Sequence, residues 1–175
     1  MILSELDLLK YNGTTVNAMA GASLPLTVQT APWNPEAELE LAVCRFPAGS
    51  SLPAWANPAD WATKGVFFSA TWTKDELSLI VPVTEMTNPH LDATALLAEG
   101  HSVEKEWNVI KVEGPLDFAL IGILSSLAGS LAAAGVSIFA VSTYDTDYLL
   151  VKTKDLKQAT ETLSGEGHNL ARQTH

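Results

Sequence analysis

Two stretches of this chain, residues 65–81 and 135–151, align without a gap at a spacing of 70 residues. They read GVFFSATWTKDELSLIV and GVSIFAVSTYDTDYLLV. The identical pairs are Gly65/Gly135, Val66/Val136, Ala70/Ala140, Thr73/Thr143, Asp75/Asp145, Leu79/Leu149 and Val81/Val151. Each copy has a run rich in β-branched and aromatic residues, a polar turn with an aspartate, and a second apolar run, which predicts a β-hairpin. The repeat therefore indicates one supersecondary unit used twice.

Length, charge and cysteine content narrow the class of protein. With 175 residues, 47% of them hydrophobic, the chain can bury two small cores that share an interface. Asp and Glu outnumber Lys and Arg by 20 to 10, so the net charge of −10 argues against a nucleic acid or a membrane surface as partner. The single cysteine, Cys44, has no intrachain disulfide mate, which favours a cytoplasmic location.

Residues 118–144 contain no charged side chain and are long enough to span a bilayer as one helix. Gly135, however, stands where a helix C-cap is expected, and β-branched and aromatic residues follow it. The run therefore predicts a buried helix followed by a buried strand.

Periodicity and turn residues predict the remaining elements. Strands are expected near Leu24–Gln29, Glu38–Phe46, Val66–Thr73, Leu77–Val83, Trp107–Glu113, Val136–Thr143 and Tyr148–Thr153. Helices are expected at Pro53–Trp61, Pro89–Glu99, Asp117–Ala134 and Asp155–Ser164, the last capped by Asp155. The chain after Gly165 is expected to fray.

The element order, with VEGPLD at 112–117 entering a helix and STYDTD at 142–147 turning a hairpin, resembles the ACT-domain superfamily. More narrowly, residues 41–167 resemble the small tandem-ACT proteins related to CASTOR-type cytosolic arginine sensors. The resemblance implies an α+β fold of two ferredoxin-like βαββαβ units in tandem, with antiparallel sheets and helices on one face. Residues 36–106 and 107–168 would form the two units. Residues 1–35 would be a tether with an exchanged strand, and residues 169–175 a flexible tail. It also implies a regulatory protein, not an enzyme, that binds an amino acid at an interface between ACT units without a cofactor.

The residues provide a physical reason for such a site. Backbone N–H groups at a helix start in 113–117 would hold a ligand carboxylate, and Gly122 would let the ligand approach the helix. Hydroxyls and a carboxylate of the second hairpin would bind an ammonium or guanidinium group. The predicted ligand-binding residues are Glu113, Gly114, Gly122, Thr143, Tyr144, Thr146 and Asp147. Asp145 is assigned to holding the turn.

Other functions are open from sequence. The protein could be an interaction module without ligand that uses a sheet edge or the small-residue stripe of the Asp117–Ala134 helix. Asp145 and Asp147 could form the acid/base pair of a small enzyme, although no catalytic motif supports this. The four histidines lack ligand spacing, so no metal site is expected.

Two complete βαββαβ units need one strand to end the first unit and another to begin the second. The pattern predicts only one strand at that place, Trp107–Glu113. We expect the strand near Leu24–Gln29 to cross and complete a sheet, and we expect a homodimer that pairs edges or helix faces. A regulatory protein partner is also expected.

Overall fold

A computed structural model describes residues 26–30, 40–57, 59, 67–87, 101–117 and 119–171. Its strands are β1 (Thr27–Thr30), β2 (Leu41–Pro47), β3 (Ser69–Trp72), β4 (Glu76–Pro82), β5 (Ser102–Val112), β6 (Ile138–Ser142), β7 (Asp147–Lys152) and β8 (Asn169–Ala171). The helices are α1 (Ile123–Ala133) and α2 (Leu156–Gly165), with 3-10 turns at Ala54–Ala56, Val83–Thr87 and Thr153–Asp155. The predicted helix Pro89–Glu99 lies outside the described residues. Of the predicted helix Pro53–Trp61, residues 53–57 and 59 are described, and Ala54–Ala56 form a 3-10 turn. The protein has a mixed α/β architecture consistent with the ferredoxin-like fold.

Strand β5 connects the two parts of the sheet. Its first half pairs with β2, which continues through β4 to β3, and residues 107–111 pair with β7, which continues to β6. The strand was predicted to begin at Trp107, but it begins at Ser102, because the charged sequence SVEKE hid its first half. Glu106 has a φ of +65°, and the register with β2 shifts nearby, so a bulge bends the strand where it passes from one part to the other. The boundary expected between residues 106 and 107 falls inside this strand.

The strand expected near Leu24–Gln29 forms as β1 and lies within the sheet. β1 runs antiparallel to β5 on one side and parallel to β8 on the other, with Val28 opposite both Val112 and Leu170. The expected flexible tail is wrong for Asn169–Ala171, which form β8. Three residues are too few to show an alternating pattern, and this strand exists because β1 provides its hydrogen bonds.

The two copies of the sequence repeat form equivalent hairpins. Ala70 pairs with Leu79 in the first, and Ala140 pairs with Leu149 in the second. All four cross-strand pairs of β3 and β4 recur in β6 and β7 at the same spacing of 70 residues. The hairpin prediction from the repeat is therefore confirmed.

Alternation along the strands builds three clusters of buried residues. The first cluster lies on one face of β2 and β4 and includes a residue from each of two 3-10 turns. Its members are Ala42, Cys44, Phe46, Ala56, Leu77, Leu79, Val81 and Met86. Burial there raises the pKa of the Cys44 thiol to about 12. The second contains the inner faces of α1 and α2 and one face of β1, β5 and β7: Val28, Ile110, Val112, Leu127, Leu131, Val136, Leu149, Val151, Ala159 and Leu163. The opposite strand faces meet in the third: Leu41, Phe67, Ile80, Val109 and Leu150.

Both helices differ from expectation at their starts. α1 begins at Ile123, six residues after the predicted Asp117. Asp155 does stand at the N-cap of α2, but its side chain makes no capping hydrogen bond. The uncharged run divides into a helix and a strand as predicted, but the strand was expected to be buried and no residue of β6 is. No helix in the described ranges is long and apolar enough to cross a membrane.

Candidate functional site

The turn of the second hairpin is held by a threonine. The Thr143 backbone N–H donates to the Thr146 carbonyl (2.8 Å), and the Thr143 hydroxyl donates to the same carbonyl (3.0 Å). In the first hairpin, Thr73 makes the same two bonds to Glu76, at 2.9 and 3.3 Å. Within the described residues the Asp145 carboxylate accepts no hydrogen bond. The assignment of this turn to the Asp145 side chain is therefore corrected, because a hydroxyl can both donate to and accept from the turn backbone.

Thr146 fastens the turn to strand β5. Its side chain is 4% exposed, and its hydroxyl donates to the Val112 carbonyl. Thr146 therefore has a structural role in addition to its place beside the cavity.

The loop after β5 packs directly on the turn. The Leu116 N–H donates to the Asp145 carbonyl (2.7 Å), and a Cβ on Gly114 would come within 2.7 Å of the same oxygen. Only a glycine lets the two backbones approach this closely. Glu113 donates its backbone N–H to the Thr27 carbonyl of β1 (2.7 Å).

The helix start lies further along the chain than predicted. Residues 113–117 form a loop, in which Asp117 Oδ1 accepts the Ala119 N–H (2.8 Å). α1 begins after Gly122, whose φ of +86° is a left-handed conformation that suits glycine. No side chain caps this helix, and no acidic residue lies in its first turn. The first N–H groups of α1 therefore lack intrahelical partners and carry the positive end of the helix dipole.

A cavity of about 620 Å³ separates this helix start from the hairpin turn. It is lined by Leu116, Asp117, Leu120, Gly122, Ile123, Leu124, Ser125, Ala128, Ser142, Thr143, Tyr144, Asp145, Thr146 and Asp147. Three of these are aspartates, and no lysine or arginine of the described residues is among them. We call it the larger cavity.

The larger cavity brings together most of the predicted site. Gly122, Thr143, Tyr144, Thr146 and Asp147 all line it, and Asp145 joins them. Asp147 accepts a hydrogen bond from the Ser142 hydroxyl (2.6 Å), its cross-strand partner, so its carboxylate is held in place.

A smaller cavity of about 270 Å³ lies across the turn. It is lined by Lys111, Gly114, Pro115, Thr143, Asp145, Thr146 and Tyr148. Burial, and secondarily the charge of Asp145, raises the pKa of the Tyr148 phenol. No group of His, Cys, Asp and Glu side chains suited to a metal ion occurs in the described part of the chain.

A further cavity, of about 370 Å³, lies between the two hairpins, and we call it the inter-hairpin cavity. It is lined by Ser69, Thr71, Glu76, Ser78, Ile80, Phe139, Ala140, Val141 and Ser142. None of these lining residues belongs to the predicted site.

Two predicted residues lie outside the larger cavity, and several lining residues were missed. Gly114 lines the smaller cavity, and Glu113 is not among the lining residues of the larger, smaller or inter-hairpin cavity. Asp117 lines the larger cavity and belongs to the segment 113–117 predicted to hold the ligand carboxylate, but its own side chain was not among the predicted residues. Ser125 and the apolar wall were left out of the predicted residues because the helix start was placed too early. Ser125 would have been found from its place in the first turn of a helix that begins at Ile123.

The fold is consistent with that of an ACT domain, and the ACT-domain family model matches residues 102–165. The chain belongs to the ACT-domain family. It is similar to human CASTOR3P, with 32% identity over 135 residues, 70% of this chain and 82% of that protein. It is also similar to the human cytosolic arginine sensor for mTORC1 subunit 1, with 35% identity over 66 residues, 37% of this chain but only 20% of the sensor.

Among solved structures, the crystal structure of protein Atu0741 from Agobacterium tumefaciens is similar. The TM-score is 0.67 and the identity 29%, and the match covers 87% of this chain and 97% of that one. The fold therefore extends over nearly the whole of that relative.

Proposed function

We propose that this chain is a non-enzymatic regulatory protein that binds an amino acid in the larger cavity. The observation that carries the proposal is that an uncapped helix start and three aspartates line one cavity, without a basic side chain among the described residues. The N–H groups of α1 suit the ligand carboxylate, and the aspartates suit an ammonium or guanidinium group. Membership of the ACT-domain family and similarity to a protein named as an arginine sensor support it.

The walls of the cavity favour a ligand with an apolar portion between its charged groups. Leu116, Leu120 and Leu124 provide a hydrocarbon surface opposite the polar turn. Ser142 fixes the Asp147 carboxylate before any ligand arrives, which lowers the cost of ordering the site on binding.

We infer that the chain contains two ACT units in tandem that share strand β5. The strand order in the first unit is β5-β2-β4-β3, in which the hairpin β3–β4 pairs with the first strand β2 and the last strand β5 pairs with the other edge of β2. The second unit has the order β8-β5-β7-β6 and follows the same plan, except that β1 lies between β8 and β5. The equal registers of the two hairpins support this arrangement. The proposed units are residues 36–106 and 107–168, with residues 1–35 carrying the exchanged strand.

We also propose that a second copy closes the larger cavity, so that the ligand lies at an interface between ACT units of a homodimer. Two large side chains beside the cavity support this: Ile121 is 98% exposed and Tyr144 80% exposed. A cytosolic location is proposed by analogy with the relative named cytosolic, and a regulatory protein is proposed as the downstream partner.

A thermal-shift screen of the common amino acids tests the ligand proposal. A ligand that binds only the native state stabilises it, so the midpoint should rise with ligand concentration. Asp147→Asn should then weaken binding by about 1.5–3 kcal/mol, the usual value of a charge-assisted hydrogen bond. Calorimetric titration of both proteins measures the difference.

Asp75→Asn is the matched control, because it removes the same charge from the turn of the other hairpin, outside the larger cavity. It should leave the affinity unchanged. If no amino acid raises the midpoint while the protein remains dimeric, an interaction module without ligand is the better assignment. Equal loss of affinity in both variants would show that net charge, and not the cavity, controls binding.

A further inference from the structure

Lys111 is the only basic side chain of the described residues that lines the larger, smaller or inter-hairpin cavity. It projects from β5 into the smaller cavity. The ion pairs of this structure join Arg45 to Glu76, Lys152 to Glu104 and Lys157 to Glu161, and within the described residues Lys111 has no such partner. In a chain with a net charge of −10, a lysine that lines a cavity without an acidic partner suits an anionic group of a ligand.

A second hydrogen-bond donor stands beside this lysine. Tyr148 is the direct cross-strand partner of Lys111, so the two side chains leave the same face of the sheet about 5 Å apart at their Cβ atoms. Phe67 packs against the Tyr148 ring at 4.9 Å between centroids and limits its movement. A tyrosine phenol is protonated at pH 7, so Tyr148 can donate to a bound anion.

The smaller cavity also contains a negative group. Asp145 also lines it, and its carboxylate accepts no hydrogen bond from the described residues. A free anion beside Lys111 would be repelled by Asp145, whereas a zwitterion would satisfy both charges. The Thr143 hydroxyl, which donates to the Thr146 carbonyl, still has lone pairs for an ammonium group.

We propose that the smaller cavity is a second binding site, which takes the zwitterionic head group of an α-amino acid. The ligand carboxylate binds Lys111 and Tyr148, and the ligand ammonium binds Asp145. The charges of Lys111 and Asp145 cancel in the smaller cavity, whereas three carboxylates line the larger cavity. The two sites therefore select different ligands. The two cavities share Thr143, Asp145 and Thr146 as lining residues.

Glycine, acetate and methylammonium are the probes, since they present the whole head group, its anion alone and its cation alone. Each is titrated into the full-length protein at constant ionic strength and pH 7, and backbone amide shifts are followed by NMR. Glycine should give saturable shifts at residues 111–114 and 143–148, and acetate should bind more weakly than glycine. Lys111→Met should weaken glycine binding by roughly tenfold or more, the loss expected for a charge-assisted hydrogen bond.

Asp145→Asn tests whether the negative charge of Asp145 has opposite effects on the binding of glycine and of acetate. It should weaken glycine binding and strengthen acetate binding, because the same carboxylate attracts the ammonium and repels the anion. Lys105→Met, on the same strand but outside the larger, smaller and inter-hairpin cavities, is the matched control and should bind glycine like the wild type. Glycine shifts at Lys111 and Gly114, without shifts at 124–128 in the wall of the larger cavity, separate this proposal from the function proposed above.

Unfolding curves establish first that each variant is folded. The proposal is overturned if Lys111→Met binds glycine as tightly as the wild type, if acetate binds as tightly as glycine, or if the glycine shifts do not saturate.

Discussion

At the scale of single residues, two glycines illustrate how environment decides a role that sequence leaves open. Gly114 lies against the Asp145 carbonyl and the Thr146 side chain, whereas a Cβ on Gly129 would meet nothing within 4 Å. Sequence suggested a ligand-binding role for Gly114, and it placed Gly129 in the small-residue stripe of the Asp117–Ala134 helix. The structure gives close packing to Gly114 and an exposed helix surface to Gly129.

Gly114→Ala should destabilise the protein by about 1–3 kcal/mol, because the new methyl group meets backbone that cannot rotate away. Gly129→Ala should stabilise it by about 1 kcal/mol through helix propensity. Urea unfolding measures both free energies. Changes of the same sign in the two variants would contradict this account of the loop–turn contact.

At the scale of elements, β1 is held at its start by a buried histidine. Nδ1 of His168, a side chain only 3% exposed, accepts the Leu26 N–H at 3.2 Å, and the Asn169 N–H donates to the Leu26 carbonyl at 2.7 Å. Burial lowers the pKa of His168, and the charge of Glu166 opposes this only in part. The neutral imidazole therefore joins α2, β8 and β1.

Stability should fall as the pH drops below about 6.5, the usual pKa of histidine, because the unfolded chain takes up a proton that the native imidazole resists. Above that pH both states hold a neutral imidazole, and the contribution is complete. His168→Asn cannot titrate, so its unfolding free energy should depend less steeply on pH between about 7.5 and 5. Urea melts across this range provide the comparison.

Ala159→Gly weakens α2 without removing an ionisable group, so it serves as the control for the pH series and should keep the slope of the wild type. If His168→Asn also keeps that slope, then the carboxylates, and not this histidine, determine the acid sensitivity of the fold.

At the scale of the whole molecule, the proposed dimer accounts for a cavity whose mouth is flanked by exposed apolar side chains. Ile121 projects almost completely into solvent from the loop before α1. Covering such a surface with a second copy removes apolar area from water and shields the aspartates from bulk dielectric. Closure by a second copy would therefore strengthen the charge recognition proposed for the larger cavity.

Ile121→Asp should shift the protein from dimer to monomer in light scattering, because a carboxylate would be buried without a partner at the interface. Trp72, which is 55% exposed on the first hairpin, provides the matched position: Trp72→Asp should leave the dimer intact. A wild-type protein that remains monomeric at high concentration would contradict the proposed assembly.

Local patterns in the sequence were sufficient to predict most strands and both hairpins, because alternation and turn chemistry record which faces are buried. The 70-residue repeat predicted that both segments form equivalent hairpins, and the hydroxyls and aspartates of residues 143–147 pointed to the cavity where the structure places them. The pairing of β1 with β8, the full length of β5 and the start of α1 emerged only in three dimensions. These features depend on hydrogen bonds between distant residues, such as Leu26 with His168, 142 positions apart, and Thr146 with Val112, 34 apart. No local pattern encodes such partners, since each exists only when the rest of the sheet brings the two groups together.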